Sequence, residues 1–294
     1  MGTTRGATFT AMKTAIIISF IAALAAVLPH GARAADPPRR IVSINMCTDE
    51  LLLALADPGQ IVALSPYAAN PTMSFMADQA AKYRHDAAEA ETVVDLQPDL
   101  VLSGSFTKPA TRQMLTRLGY RLELFDAPRS IDESIAQIRQ VAALVGRPER
   151  GAALIGRIEG ARKAAIAAAR GRPHPTAAVY QRRGYVTGGE TLTGELLSTA
   201  GFANDGERLA GKTGGFVSLE RLVVEHPDYI VVASAGAHAV DQGTALLAHP
   251  ALAALYPAAR RIVLPERLTV CGGPSLPAAL ERLAHEAQRV GHRP

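Results

Sequence analysis

The 294-residue chain carries 31 Lys and Arg against 27 Asp and Glu, with two cysteines and no tryptophan. Three of the basic residues, Arg5, Lys13 and Arg33, fall in the first 34 positions with no acid among them, so the formal charge of the rest is 4 − 3 = +1. That excludes the strongly basic face of a nucleic-acid binder, and a charged fraction of 20% excludes both a disordered chain and a coiled coil.

Residues 1–34 read as a cleaved export signal. Arg5 and Lys13 precede an apolar run over 14–28, and Ala32-Arg33-Ala34 supplies small residues at positions −3 and −1 of a cleavage site. The run falls short of the roughly 20 residues of a membrane span. Cys47 lies too far downstream to be lipidated, and no later segment is long and apolar enough to cross a bilayer.

Strand-like and helix-like runs alternate beyond that point, which predicts an α/β fold with mainly parallel sheets. In the first half, strands are expected at 41–44, 61–64, 100–102 and 121–125, with helices near 50–56, 71–83, 109–118 and 131–145. The stretch 148–170 has no internal proline after Pro148 and stops at Gly171-Arg172-Pro173, the start and stop signals of one long helix. In the second half, strands are expected at 177–180, 229–233 and 261–264, with helices at 193–200, 219–225, 244–255 and 275–290. The expected organisation is an N-terminal lobe over 35–147, a connecting helix over 148–171 and a C-terminal lobe over 172–294. The element order recurs in the two halves without a visible sequence repeat.

Each end of this region places a cysteine in a loop after a strand. One loop is Asn45-Met46-Cys47-Thr48-Asp49, with Thr48 as the expected helix cap; the other is Thr269-Val270-Cys271-Gly272-Gly273. Three readings stand: a Cys47–Cys271 disulfide, unpaired thiols lining a crevice, or thiolate contact with a soft metal or metal chelate. Residues 206–213, Gly-Glu-Arg-Leu-Ala-Gly-Lys-Thr, fit the phosphate-binding P-loop pattern but follow a helix and lack the required strand, so they are read as a decoy. No H-E-x-x-H, C-x-x-C or G-x-S-x-G spacing occurs, so neither a resident cofactor or metal nor catalysis is expected.

Several segments together carry a resemblance. Arg39-Arg40-Ile41-Val42-Ser43-Ile44 runs into Thr48-Asp49-Glu50-Leu51-Leu52. Ile61-Val62-Ala63-Leu64-Ser65-Pro66-Tyr67 and Asp95-Leu96-Gln97-Pro98-Asp99-Leu100-Val101 follow, then Ser218-Leu219-Glu220-Arg221-Leu222 and His226-Pro227-Asp228-Tyr229-Ile230-Val231-Val232. They resemble the periplasmic substrate-binding proteins of ABC importers for vitamin B12, haem and ferric siderophores. The resemblance implies two Rossmann-like α/β lobes joined by one helix, a ligand cleft between them, modest hinge motion, and a non-enzymatic carrier in the periplasm. Its partners would be an ABC permease with its ATPase and a small-molecule metal chelate, and the carrier is expected to be a monomer. Glu91 and Glu220 match the acidic residues that dock each lobe on basic residues of the permease.

Ligand contacts are expected from loops after strands: Cys47, Tyr67, Ser105, Phe106, Gln181, Arg182, Arg183, Tyr185, Arg267 and Cys271, with further rim candidates over 234–238, including His238. Tyr67 matches a cleft tyrosine of the B12 branch, whereas Phe106 is also compatible with the core. Arginines in the 181–185 loop suit an anionic chelate. The missing tryptophan weakens a B12 or hydroxamate assignment. Ferric siderophores rank first, cobalamin second and haem third. The competing expectations are a secreted thiol oxidoreductase using Cys47 and Cys271, and a direct metal-ion carrier.

Overall fold

The computed structural model describes Gly2 and residues 36–233, 245 and 247–291. Residues 37–294 cluster as one compact unit. Within it lie two four-stranded parallel sheets. The first, in spatial order β2-β1-β3-β4, uses β1 (Ile41–Ser43), β2 (Ile61–Ala63), β3 (Leu100–Gly104) and β4 (Leu122–Phe125). In the second half, β5 (Thr176–Val179), β7 (Ala203–Asn204), β9 (Tyr229–Val232) and β10 (Arg261–Val263) make the order β10-β9-β5-β7. Between them in sequence, β6 (Tyr185–Val186) and β8 (Gly215–Phe216) form a small antiparallel pair. Both central strands β1 and β3 are buried along their whole length, as a parallel sheet covered on both faces requires.

Numbering the strands within each half shows that the two sheets share one topology. In the first half the order is second-first-third-fourth, and the second sheet read from β7 gives the same order. The switch point, where a ligand crevice opens beyond the strand ends, therefore falls between β1 and β3 and between β5 and β9. The two cysteine loops are not counterparts in this scheme. Cys47 follows the first strand of its half, but Cys271 follows the fourth of its own.

The shared topology exposes a repeat that is hard to see in the sequence. Gln97-Pro98-Asp99 before β3 and His226-Pro227-Asp228 before β9 both begin with a left-handed residue, Gln97 at φ 46° and His226 at φ 44°. Both end in an aspartate that receives backbone amides at the head of the neighbouring first strand. Asp99 accepts Arg39 N at 2.7 Å and Arg40 N at 3.0 Å, and Asp228 accepts Thr176 N at 2.8 Å.

Pro148–Ala169 is one continuous 22-residue helix, about 33 Å long at 1.5 Å per residue. It packs against Ile131–Leu144 on one side and Leu276–Gly291 on the other. Its start is tied to the turn before β2, because Asp57 takes ion pairs from Arg147 and from Arg150, the latter at 2.7 Å. The Arg147 hydrogen bond holds the Asp57 carboxyl below its usual range. Leu154, Ile155 and Ile158 of this helix belong to one buried cluster that runs from Ile41 and Leu52 in the first half to Leu196, Ile262 and Leu280 in the second. The halves thus share a core instead of touching only through a hinge.

Several expected elements differ in detail. The helix expected over 71–83 is reduced to Ala77–Ala80, because Asn70-Pro71-Thr72 folds as a turn in which the Asn70 side chain accepts Thr72 N at 3.0 Å. The helix expected over 244–255 is described only as Pro250–Leu255. The helices Ala90–Asp95 and Gly206–Ala210 and the β6–β8 pair were not anticipated.

Candidate functional site

Two loops converge at the floor between the halves. Asn45, at φ −149°, caps the helix Met46–Leu55 by accepting Cys47 N at 3.0 Å; Asn45, not Thr48, is the cap. Thr48 faces inward, with its hydroxyl 2.8 Å from that of Ser43. Gly104 at the end of β3 must lack a side chain, since a Cβ there would lie 2.5 Å from the Asn45 carboxamide. Across the floor, Cys47 and Cys271 form a disulfide with Cα atoms 5.2 Å apart, joining positions 224 residues apart. Gly272 and Gly273 bring that loop against Pro128 and Ser134 and against Leu51 of the first half. Paired in this way, with Cys271 only 1% exposed, the cysteines present no thiol to a ligand. The thiol-lined crevice and thiolate-metal readings are therefore replaced by a covalent tie.

Asp49 and Glu50, near the start of the helix Met46–Leu55, are both buried. Asp49 accepts Ser65 N at 3.1 Å and Ser65 Oγ at 2.5 Å, while Glu50 Oε1 accepts Phe75 N at 2.8 Å. Together they anchor both ends of the loop that carries Tyr67. Burial raises both carboxyls from the usual range to about 7, and Glu50 Oε2 has no hydrogen-bond partner. The folded state therefore holds protons that the unfolded chain releases near pH 4. The contribution of these two carboxyls to stability is greatest below that pH, falls as pH rises from about 4 to about 7, and is level above. Urea unfolding is expected to give a higher midpoint at pH 5 than at pH 8, and Asp49→Asn should flatten that slope. Equal midpoints for the wild-type protein would contradict the assignment.

The predicted rim residues divide into two groups. Ser105 Oγ donates to Asp126, Gln181 Nε2 donates to Thr187 Oγ1 at 3.3 Å, and the Tyr185 hydroxyl donates to Thr213 O at 3.1 Å. These polar groups position loops. Tyr67 is 59% exposed and Phe106 86% exposed, so Phe106 is not a core residue. Lys108, ion-paired with Glu89, lies within electrostatic reach of Tyr67. Arg183 and Arg267 are exposed and make no ion pair with a described residue; Arg182 is also exposed and has an interaction of its own. Arg183 at φ 60° and Gly184 at φ 79° give the two central residues of a tight turn closed by Tyr185 N on Arg182 O. A non-glycine residue in that region is strained, and strain of this kind concentrates at ligand clamps. The candidates over 234–238, His238 among them, lie outside the described residues.

Sequence reasoning missed Phe216, which is 74% exposed on β8 and sits edge-on to Tyr185 with ring centroids 5.5 Å apart. It also missed a cavity of about 330 Å³ whose lining comes from both halves: Arg129 and Ser130 from one, Gly189, Glu190, Thr191 and Glu195 from the other. The signal was present in Ser130 and Thr191, which cap the helices that start there. Glu195 Oε2 accepts Ile131 N at 2.7 Å, and Arg162 of the connecting helix holds Asp132 at 2.8 Å and Glu195 at 3.2 Å.

The P-loop-like segment behaves as a decoy. A strand does precede it, the two-residue β7, contrary to the expectation; but its glycine-lysine pair follows the helix Gly206–Ala210 instead of preceding one, and Lys212 Nζ is bound by Glu190 at 2.6 Å. Among the described residues no cluster of three His, Cys, Asp or Glu is disposed to hold a metal ion, and no helix is long and apolar enough to cross a membrane.

Glu91 and Glu220 occupy equivalent places. Each is the exposed second residue of a short helix, Ala90–Asp95 and Leu219–Glu225, that leads into the third strand of its half. The Glu220 backbone amide and the Ser218 hydroxyl hold the Glu220 carboxyl below its usual range. Val224, one turn further along that helix, is 81% exposed.

A family model described as periplasmic binding protein matches residues 41–263. Among solved structures, the chain is similar to the periplasmic haem-binding protein RhuT from Roseiflexus sp. RS-1, at 24% identity and a TM-score of 0.68, over 86% of this chain and 97% of that one. It is similar to a periplasmic haem-binding protein from Pseudomonas aeruginosa, at 25% identity and 0.67, over 85% and 92%. It is also similar to the periplasmic vitamin B12-binding protein BtuF of Vibrio cholerae, at 18% identity and 0.65, over 87% and 99%. No curated protein matches the sequence.

Proposed function

This chain belongs to the periplasmic binding protein family, and we propose that it is the substrate-binding component of an ABC importer, capturing an iron or cobalt chelate and delivering it to a membrane permease. The observation that carries this reading is the floor. Strand-end loops of two like-wound parallel sheets meet there, joined by Cys47–Cys271, and Tyr67, Phe106 and Arg183 stand exposed on further loops that follow strands of the two halves. Ligands in open α/β sheets sit beyond the carboxyl ends of the strands, so both crevices face one ligand.

In this reading residues 1–34 direct export and are removed, the segments 35–147 and 172–294 act as the two lobes, and the helix between them limits hinge motion. Binding involves no chemistry. Glu91 and Glu220 present the loaded carrier to the permease, whose ATPase drives uptake. Ferric siderophores, cobalamin and haem are the chelate classes concerned; the similar structures named for haem reach 25% identity and the one named for vitamin B12 reaches 18%.

The test is native mass spectrometry of the protein purified without reductant from its own periplasm. The expected spectrum shows a bound mass containing iron or cobalt. A protein that is empty and also ignores all three chelate classes on titration would overturn the proposal.

A further inference from the structure

We propose that Phe216 and Phe106 are the ligand-selecting faces of this cleft, and that they take a flat conjugated macrocycle with carboxylates on its periphery, a ferric tetrapyrrole. The inference rests on the chelate-carrier reading above and narrows its ligand.

Both rings are exposed, each on a backbone that hydrogen bonds hold in place. Phe106 stands on a loop whose backbone is locked by Arg112 Nη1, which donates to Gly104 O, Ser105 O and Thr107 O at 2.8–3.0 Å. Thr107 Oγ1 adds a bond to Ile44 O at 3.2 Å. Phe216 is fixed by the pairing of β8 with β6, and Val217 N donates to Gly184 O at 2.9 Å, which sets the ring beside the Arg183 turn. Tyr185 meets it at an interplanar angle of 77°, an edge contact that leaves a phenyl face open. A large apolar face carried on a fixed backbone needs no loop ordering when it binds, and it prefers to stack on another π surface.

The charges lie elsewhere on the rim. Arg183 follows β5 and Arg267 follows β10, and β9 lies between those two strands. The loops they occupy are therefore two strand spacings apart, roughly 10 Å. Two separated guanidiniums, each suited to bidentate carboxylate pairing, ask for acidic arms at the edge of a ligand whose face goes to the phenyl rings. A trihydroxamate offers neither a flat face nor an acidic edge. A tricatecholate concentrates its charge at the metal. A corrin carries amide arms and axial groups over its faces.

The experiment titrates the oxidised protein with haem b, cobalamin, ferrichrome and a ferric tricatecholate, by calorimetry and, for haem b, by its Soret band. Haem b is expected to bind most tightly. Phe216→Ala should weaken it at least tenfold, while Phe216→Tyr stays within about threefold. Arg183→Asn keeps the turn, because asparagine accepts the left-handed conformation; it should weaken haem b about tenfold and leave its dimethyl ester unaffected. Unchanged haem b affinity in Phe216→Ala, or tighter binding of ferrichrome or the tricatecholate than of haem b, would overturn the inference and leave the carrier reading standing. A protein that binds none of the four would overturn the carrier reading and this inference with it.

Discussion

Reducing the Cys47–Cys271 disulfide, or removing it as the Cys47→Ser/Cys271→Ser double variant, is expected to lower the unfolding free energy by about 3–5 kcal/mol. The crosslink spans 224 residues, nearly the whole folded unit, so it removes close to the largest loop-closure entropy this chain can lose in its unfolded state. For a domain of this size a loss of that order corresponds to a fall in Tm of about 10 °C. The halves should not separate entirely. Arg162 and Glu195 still bridge them, Glu195 still caps Ile131 N, and the shared apolar cluster around the connecting helix is untouched. Urea unfolding of the oxidised and reduced forms measures the difference directly. A loss below about 1 kcal/mol would show that the packed interface, and not the crosslink, holds the floor together. A retained stability with lost ligand affinity would assign the disulfide to positioning the two loops.

The sheet strands and the connecting helix were legible because their signals are local. Ile41-Val42-Ser43 and Leu100-Val101-Leu102 are short apolar runs between turn residues, and Pro148 and Gly171 mark the ends of an alanine-rich stretch that holds no proline between them. What escaped is what depends on distant partners. Phe216 lies in a two-residue strand whose only reason to exist is its pairing with Tyr185 and Val186, so no window around it carries a period. Asp49 and Glu50 look like solvated first-turn acids until Ser65 and Phe75 are seen to close over them. The repeat of Gln97-Pro98-Asp99 in His226-Pro227-Asp228 was present in the letters but gains meaning only from the shared strand order. The cysteine loops show the same limit: each reads as a loop after a strand, and only the topology shows the first strand of one half meeting the fourth of the other.

That same equivalence frames the second large effect. Charge reversal at both Glu91 and Glu220 is expected to abolish uptake by cells while leaving ligand affinity in solution unchanged. Both glutamates are exposed, both stand second in a helix that feeds the third strand of their half, and neither belongs to a strand-end loop at the floor. An exposed acid contributes little to folding, so its removal costs little there. A pair of acids at matched positions can, however, steer encounter with a basic surface and fix which way the carrier lands. Lysine in a first turn opposes the helix dipole by about 0.3–1 kcal/mol, so the Glu91→Gln/Glu220→Gln variant separates lost attraction from added repulsion. The glutamine pair should slow uptake in a salt-sensitive way, and the lysine pair should stop it. If ligand affinity collapses in either variant, the two helices serve the cleft and the docking assignment is wrong. If uptake survives reversal at both positions, the permease must grip the carrier elsewhere, and the exposed Val224 beside Glu220 is the next position to substitute.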